Sequence, residues 1–511
     1  MSGIVGSKFN HRGSGLVSSL GTDGQHMLSS GAGKKHVFET VASASYDDNK
    51  IQTNIALLGF KTAVNGSLAK YNLVDQIIDE FEDASGVDTS ASTNETLTEG
   101  TYFGGTLGYP TGGTITTPIS GYRQHAFTAN GSLEVTVTGN VGIMVVAGGA
   151  SGGSDMAGGG GAGGLVYKAT HELTSNTYDA VIGAGGAASG TNSVGNDGAN
   201  STWTINGGAT EFTAVGGGGG SAEQPGTTTG RAGGSGGGGS GGTSDQGAGA
   251  GTQTAQSGDS GTYGFGNAGG VGTAPPNYNS GGGGGAGSVG QAADATPANI
   301  SGTGGTGKDM SAIFGTVVGD GGWFASGGGG SWGNNGPSGF GSASAGGGTN
   351  GGEVTEAGSD AAQANTGGGS GGAADNPASN QAGAGGSGVV IVRYTTATFK
   401  TYAALTLQSL DTTASTADPD YGDLMILMEN NAGTATLNTD IKGYLSEDSG
   451  VTFTQGTLAD EGTWGTNKKI LAFHDLDISA QSGSAMCYKI TTHNQSAAKH
   501  TIIHAVSMGW R

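Results

Sequence analysis

Cross-links are the first thing this chain does without. It has one cysteine, Cys487, in 511 residues, so no disulfide framework and no cysteine-built zinc site can form within one chain. Cys487 stands between Met486 and Tyr488 in an apparent strand and reads as a buried structural thiol. Proline is scarce at 9 residues, charged residues make up only 12% and aromatic ones 6%. Basic residues number 19 against 40 acidic ones, a formal net charge of −21. Such a surface cannot neutralise phosphates, and no nucleic-acid partner is expected. Long apolar runs are missing too. Residues 143–147 and 424–428 are far too short to cross a bilayer, so no membrane insertion is expected. Residues 1–30 lack a basic start followed by an apolar core, so no secretory leader is read and synthesis in the cytosol is expected.

Glycine fills the space the other residues leave. It accounts for 111 residues, against roughly 7% in ordinary proteins, and it concentrates in residues 148–388. Three states suit such a block. A flexible linker is one, since Gly/Ser chains bury too little to offset the entropy of ordering. Against it, aromatic residues interrupt the glycine runs, among them Trp203, Phe212, Tyr263, Phe265, Tyr278, Phe314, Trp323, Phe324, Trp332 and Phe340. Collagen is the second state, and the adjacent glycines with few prolines exclude it. The third is a bundle of polyglycine-II helices with three residues per turn and no internal hydrogen bonds, whose backbone groups must be completed by neighbouring rods. Glycine alone lets backbones approach from every side. About nine such runs, each spanning about 25 Å, would make a small lattice joined by loops.

The flanking regions differ. Residues 1–49 read as short strands (15–20, 25–28, 36–41) between turn signals, too small to hold a core and suited to docking. Residues 50–121 read as a helical oligomerisation segment and a Thr/Gly/Ser-rich connector. Ile51, Ile55 and Leu58 form one helical stripe, and Leu73, Val74, Ile77, Ile78 and Phe81 a second, fit either for core or for self-association. Residues 122–396 combine a small β-sheet base (strands at 125–128, 133–138 and 141–147) with the rods. The closing strand 389–394 is expected beside 141–147, and 165–167 with 178–182 looks like a hairpin. Residues 397–511 carry short alternating strands at 441–445, 451–454, 470–473, 486–491 and 500–508, which predicts a β-sandwich. The fold class expected is therefore mainly β, with a polyglycine-II bundle, a short N-terminal helical segment and a C-terminal β-sandwich.

Motifs for chemistry fall away on inspection. GTGGTGK at 302–308 fits a phosphate loop, but Asp309 stands where a hydroxyl should hold magnesium. GGSGG at 233–237 is uninformative at this glycine density. His500 and His504 share a strand face without a third ligand, and Asp418, Asp420 and Asp423 lack a complete calcium loop. Glu223, Asp245, Asp259, Asp309 and Asp320 are too sparse for the paired carboxylates of a glycosidase. No catalytic residue, metal or cofactor is expected.

The segments GSGLVSSLGTDGQHMLSSGAG, FTANGSLEVTVTGNVGIMVVAGG, GGGGAGGLVYKATHELTSNTYDAVIGAGG, WTINGGATEFTAVGGGGG and GGSGVVIVRY resemble tail-fibre and related appendage proteins of tailed bacteriophages, marine ones especially. The glycine block looks like the polyglycine-II adhesin domain at the tips of some long tail fibres. The stretch IKGYLSEDSGVTFTQGTLADEGTWGTNKKILAFHDLDIS is similar to terminal β-sandwich modules of phage structural proteins. The resemblance implies a virion protein, made in the host cytoplasm and exposed on the particle. It further implies a homotrimer that docks to a tail or other virion protein through its N-terminus and meets a bacterial receptor, a glycan or an outer-membrane protein, through loops between rods. The loops indicated are 221–231, 258–279 and 311–341. Within them Tyr263, Phe265, Tyr278, Trp323, Phe324 and Trp332 are the receptor-contact candidates, since aromatic rings bury much area at low entropic cost; the same rings could instead cap the rods or wedge between them. Unlike the familiar tip adhesins, this chain continues past its glycine block. An architectural role as a capsid or neck decoration fibre is the alternative.

Overall fold

The computed structural model describes residues 75–511 apart from 224–228, 243–246, 254–263, 275–277, 295–299, 333–338, 354–357, 376–380 and 416, together with the strands Gln25–Leu28 and Val37–Thr40. Those two strands pair antiparallel, Gln25 opposite Thr40. The rest of the expected docking segment 1–49, the stripe Ile51, Ile55 and Leu58, and Leu73, Val74 and Tyr263 lie outside the described residues. The chain divides into two compact units, residues 106–401 and residues 1–105 with 402–511.

Residues 75–79, expected as helix, form the strand Asp75–Asp79. It pairs with His500–Trp510 from Asp75 opposite Trp510 to Asp79 opposite Val506. Ile77 packs on the main core of this unit, whereas Ile78 joins a smaller cluster with Leu427 and Ala505. Adjacent residues facing opposite ways is the period of a strand. Leu73, Val74, Ile77, Ile78 and Phe81 match a helical stripe, but an unpaired flank of His500–Trp510 offers backbone partners that a helix could not use. Phe81 is fully buried, edge-on to Tyr102 with ring centroids 4.9 Å apart. For Ile77 and Phe81 the stripe is core, not a self-association seam.

In the same unit an eight-stranded antiparallel sheet has His500–Trp510, Tyr421–Ala432 and Lys468–Asp477 at its centre. A five-stranded sheet is built on Ala485–Thr492 and Ile441–Ser446. Leu424, Ile426, Ile503 and Met508 of the first sheet share one core with Leu445, Tyr488 and Ile490 of the second. Residues 451–453, expected in a strand, are a turn before Thr454–Gly456, and Val451 is 82% exposed.

The other unit is founded on two further antiparallel sheets. Six strands run in the order Gly264–Phe265, Leu165–Leu173, Gly139–Val146, Val389–Thr395, Tyr122–Phe127, Thr114–Thr116; four run Thr210–Ala214, Ser201–Ile205, Asn176–Val181, Gly131–Val135. Val389–Thr395 pairs with Gly139–Val146 as the sequence leads one to expect, Val389 opposite Val146. Leu165–Leu173 and Asn176–Val181 do not form a hairpin: the first pairs with Gly139–Val146 and the second with Gly131–Val135, in different sheets. Two-residue alternation along the strands explains the layering. Val141, Ile143, Val145, Val390 and Val392 face a core shared with Tyr178 and Trp203, whose rings stack at 5.5 Å.

Met144, Val146, Leu165 and Ile391 point to the opposite face, where Met310, Phe314 and Phe324 cover them. These last come from residues 308–324, which fold back as the strand pair Lys308–Asp309 and Trp323–Phe324 around the short helix Ser311–Phe314. It is the one helix among the described residues.

The glycine segments form neither helix nor sheet; they run extended and bond to one another. Residues 157–164 show how. Ala157, Gly160 and Gly163 donate to Ala373, Ser370 and Gly367; Gly158, Gly161 and Gly164 donate to Ser221, Gly218 and Val215; Gly159 and Ala162 donate to Gly281 and Gly284, all at 2.8–3.3 Å. The carbonyls of Gly158, Gly161 and Gly164 accept from Gly153, Ala150 and Ala147. Those of Gly159 and Ala162 accept from Gly238 and Ser235, and those of Ala157 and Gly160 from Ser331 and Gly328. Every third residue returns to the same neighbour, so the segment donates to three others and accepts from three more. A Cβ on Gly159 would stand 2.1 Å from the carbonyl oxygen of Gly328, and one on Gly158 2.0 Å from that of Gly238. No side chain fits there.

Candidate functional site

The glycine segments share two ends. Residues 147–153 leave the sheet directly after Gly139–Val146, and 157–164 return into Leu165–Leu173. The turn joining them, 154–156, marks the far end. Asp155 and Met156 adopt positive φ of 72° and 43° there, a conformation that L-residues hold only when their surroundings fix it. Ser154 Oγ donates to the carbonyls of Gly190 and Ser193. The Met156 carbonyl accepts from the Gly241 amide and from Ser280 Oγ, and the Glu223 amide donates to the Asp155 carbonyl. Ser301 Oγ donates to the Ser331 carbonyl and the Trp332 amide to that of Gly352. Residues 154–156, 190, 193, 223, 241, 280, 301, 331–332 and 352 are therefore gathered at one place, most of them on glycine-rich segments rooted in the lattice.

That grouping is acidic. Asp155 is buried, and burial raises its carboxyl above the ordinary range, with Asp375 adding to the rise. Glu223 is raised in the same way, first by burial and then by Asp155 and Asp375. Loss of hydration, with repulsion between the carboxylates added to it, accounts for both directions. Among the described residues no three His, Cys, Asp or Glu side chains converge as a metal site. The sequence carries little sign of this trio, because Asp155, Glu223 and Asp375 are far apart in the chain; the only local hint is the break Ser154-Asp155-Met156 within a glycine run.

The structure separates the aromatic contact candidates. Tyr278, partly buried with φ of 49°, and Trp332, 5% exposed, lie among the far-end turns. Phe265, Trp323 and Phe324 lie at the opposite end, against the base sheet. Phe265 pairs with Leu165 and has Lys308 Nζ 4.3 Å above its ring. Trp323 pairs with Asp309 and is partly exposed. Phe324 is fully buried under the sheet, so its ring presents no surface to a receptor, and Trp332 presents almost none. The expected loop 311–341 is thus divided: its first part covers the base sheet, and Ser331 and Trp332 lie at the far end. The reason is hydrophobic. The sheet face bearing Met144, Val146 and Ile391 needs covering, and the Met310, Phe314 and Phe324 side chains supply it.

The strands that open and close the bundle and everything between them coincide with one known family: residues 127–395 match a glycine-rich domain. The chain belongs to the glycine-rich domain family. Its glycine-rich domain begins on Phe127, the last residue of Tyr122–Phe127, and ends on Thr395, the last of Val389–Thr395. Those two strands pair with each other, Phe127 opposite Val390, so the glycine-rich domain is closed at its base by its own termini. No curated protein matches the chain.

Proposed function

We propose that the protein is a virion fibre protein of a tailed bacteriophage, in which a polyglycine-II bundle holds receptor-binding turns at its far end. The observation that carries this reading is the three-residue recurrence of the lattice bonds around residues 157–164, the repeat of a polyglycine-II helix. A lattice of this kind is ordered by its own backbone bonds and leaves the positions between segments open to variation. They are free to serve recognition. The acidic turns with Tyr278 would meet a glycan or outer-membrane protein of the bacterial host, with Tyr278 as the aromatic contact and Asp375 as a polar one. The unit containing residues 402–511 reads as a β-sandwich, its two sheets facing across one core. The N-terminal region would dock to the tail, in a homotrimer. The reading assigns binding, not catalysis.

Purified protein should bind host cells, and Tyr278→Ala with Asp375→Asn should lower that binding at least tenfold with no change in thermal midpoint. Undiminished binding would remove the far-end turns from recognition. Antibody labelling of the particle distinguishes positions: signal on the tail supports an adhesin, whereas signal on the head shell or neck would make the protein a decoration fibre.

A further inference from the structure

On the base sheet a groove stands apart from the glycine lattice, lined by residues of the four middle strands Leu165–Leu173, Gly139–Val146, Val389–Thr395 and Tyr122–Phe127. The register sets Thr116, Gln124, Arg393 and Gly142 side by side across four strands. They share the face that carries Ile391 and Met144, two residues along. Three of the four have polar atoms with nothing to bind. Gln124 is 1% exposed, and neither its amide nitrogen nor its amide oxygen has a hydrogen-bond partner; Thr116 Oγ1 and Arg393 Nε are buried and equally unmatched. Native interiors rarely leave such a row without water or a ligand.

Arg393 is the charged member. Its guanidinium lies 3.5 Å above the Tyr122 ring, and it enters none of the ion pairs among the described residues. In a chain of net charge −21, an arginine without a carboxylate is notable. Beside it opens a groove of about 200 Å³, lined by Tyr122, Asn140, Gly142, Tyr167, Arg393 and Thr398 among others; of the row, Arg393 and Gly142 reach it, whereas Gln124 and Thr116 do not line it. Gly142 leaves that space open by choice of residue, not by backbone need: a Cβ there would find its nearest neighbour, the Ala169 carbonyl oxygen, at 3.4 Å.

We propose that this groove binds a carboxylate-bearing saccharide, one sugar ring in size, with the Arg393 guanidinium taking the carboxylate. Guanidinium is suited to the task because its planar donors match two carboxylate oxygens at once. The Tyr122 ring steadies it, the Tyr122 and Tyr167 side chains give the sugar an apolar wall, and Asn140 and Thr398 supply partners for ring hydroxyls. A groove of this size is too small for a helix. The site lies on the base sheet, away from the far-end turns, so its success or failure leaves the adhesin reading untouched.

The test titrates the full-length protein with glucuronate, N-acetylneuraminate, glucose and acetate, followed by saturation-transfer NMR and calorimetry at pH 7. One of the two acidic sugars should bind at least tenfold more tightly than glucose or acetate. Arg393→Gln should abolish that binding, and Gly142→Val, which fills the groove, should weaken it at least tenfold at an unchanged thermal midpoint. If Arg393→Gln fails to fold, Gly142→Val decides alone. Glucose binding as tightly as the acids, acetate binding as tightly as either, no binding of either acid, or wild-type affinity in a folded variant would each overturn the proposal.

Discussion

Glu447 and Asp440 lie close in sequence and titrate in opposite directions. Glu447 is fully buried, both carboxylate oxygens lack partners, and burial pushes its pKa up to about 7, with Asp418, Asp448 and Asp420 adding repulsion. Asp440 accepts hydrogen bonds from Asn494 Nδ2 at 2.7 Å, Lys499 Nζ at 2.8 Å and the Thr436 amide at 2.9 Å. Those bonds, that of Asn494 foremost, hold its carboxyl well below the usual range. The signs follow from linkage. As pH rises from the ordinary glutamate range to about 7, the unfolded chain ionises Glu447 while the folded one keeps it neutral, so stability falls. As pH drops below the ordinary aspartate value toward the depressed value of the folded state, the Asp440 contribution is lost. Together they favour a stability maximum at about pH 4–5. Glu447→Gln should flatten the alkaline limb of a pH series of thermal midpoints and raise the midpoint at pH 8 by roughly 3–8 °C; an unchanged slope would contradict the assignment. Asp440→Ala, which strands the Lys499 ammonium, should lower unfolding free energy by about 3 kcal/mol in a denaturant titration. Neither role is legible in the sequence. Glu447 sits in an ordinary turn motif, Glu447-Asp448-Ser449-Gly450, and only the fold closes over it. The same holds for Phe324 and Tyr278, alike as aromatic breaks in glycine runs, one buried and one at a turn.

Among the elements, Val389–Thr395 is readable because it opens on a short unbroken apolar run directly after glycines, the mark of a strand covered on both faces. Asp75–Asp79 is not, since its apolar residues satisfy two periods and a distant edge decides between them. The pairing of Leu165–Leu173 is hidden for a related reason: nearness in sequence suggests Asn176–Val181 as its partner, but the apolar residues of each strand belong to different cores. The glycine segments carry no periodicity in sequence, and their order rests mainly on backbone bonds, with serine hydroxyls such as Ser280 and Ser301 adding to them. Gly159→Ala tests that directly. Its methyl would meet the Gly328 carbonyl oxygen, and the substitution should destabilise residues 106–401 by about 3 kcal/mol, read as lost amide-exchange protection in 157–164. At Gly190 the nearest atom to an added Cβ is Ser193 Oγ at 3.2 Å, which can rotate away. Gly190→Ala should leave protection intact.

On the scale of the whole chain, sequence order is a poor guide to what belongs together. Residues 75–105 join 402–511 in one unit although the entire glycine-rich domain intervenes. A reading made window by window has no access to a pairing such as Asp75 with Trp510. The far-end grouping of Asp155, Glu223 and Asp375 is out of reach for the same reason, while the glycine-rich domain itself is plain from composition.

A strand at a sheet margin can be peeled away one bond after the next. Residues 157–164 admit no such seam, because neighbours grip them from all around and any tug on one turn is divided among them as shear. A domain held in this way gains toughness from the peptide unit itself, and the chain's one thiol, Cys487, is buried and takes no part.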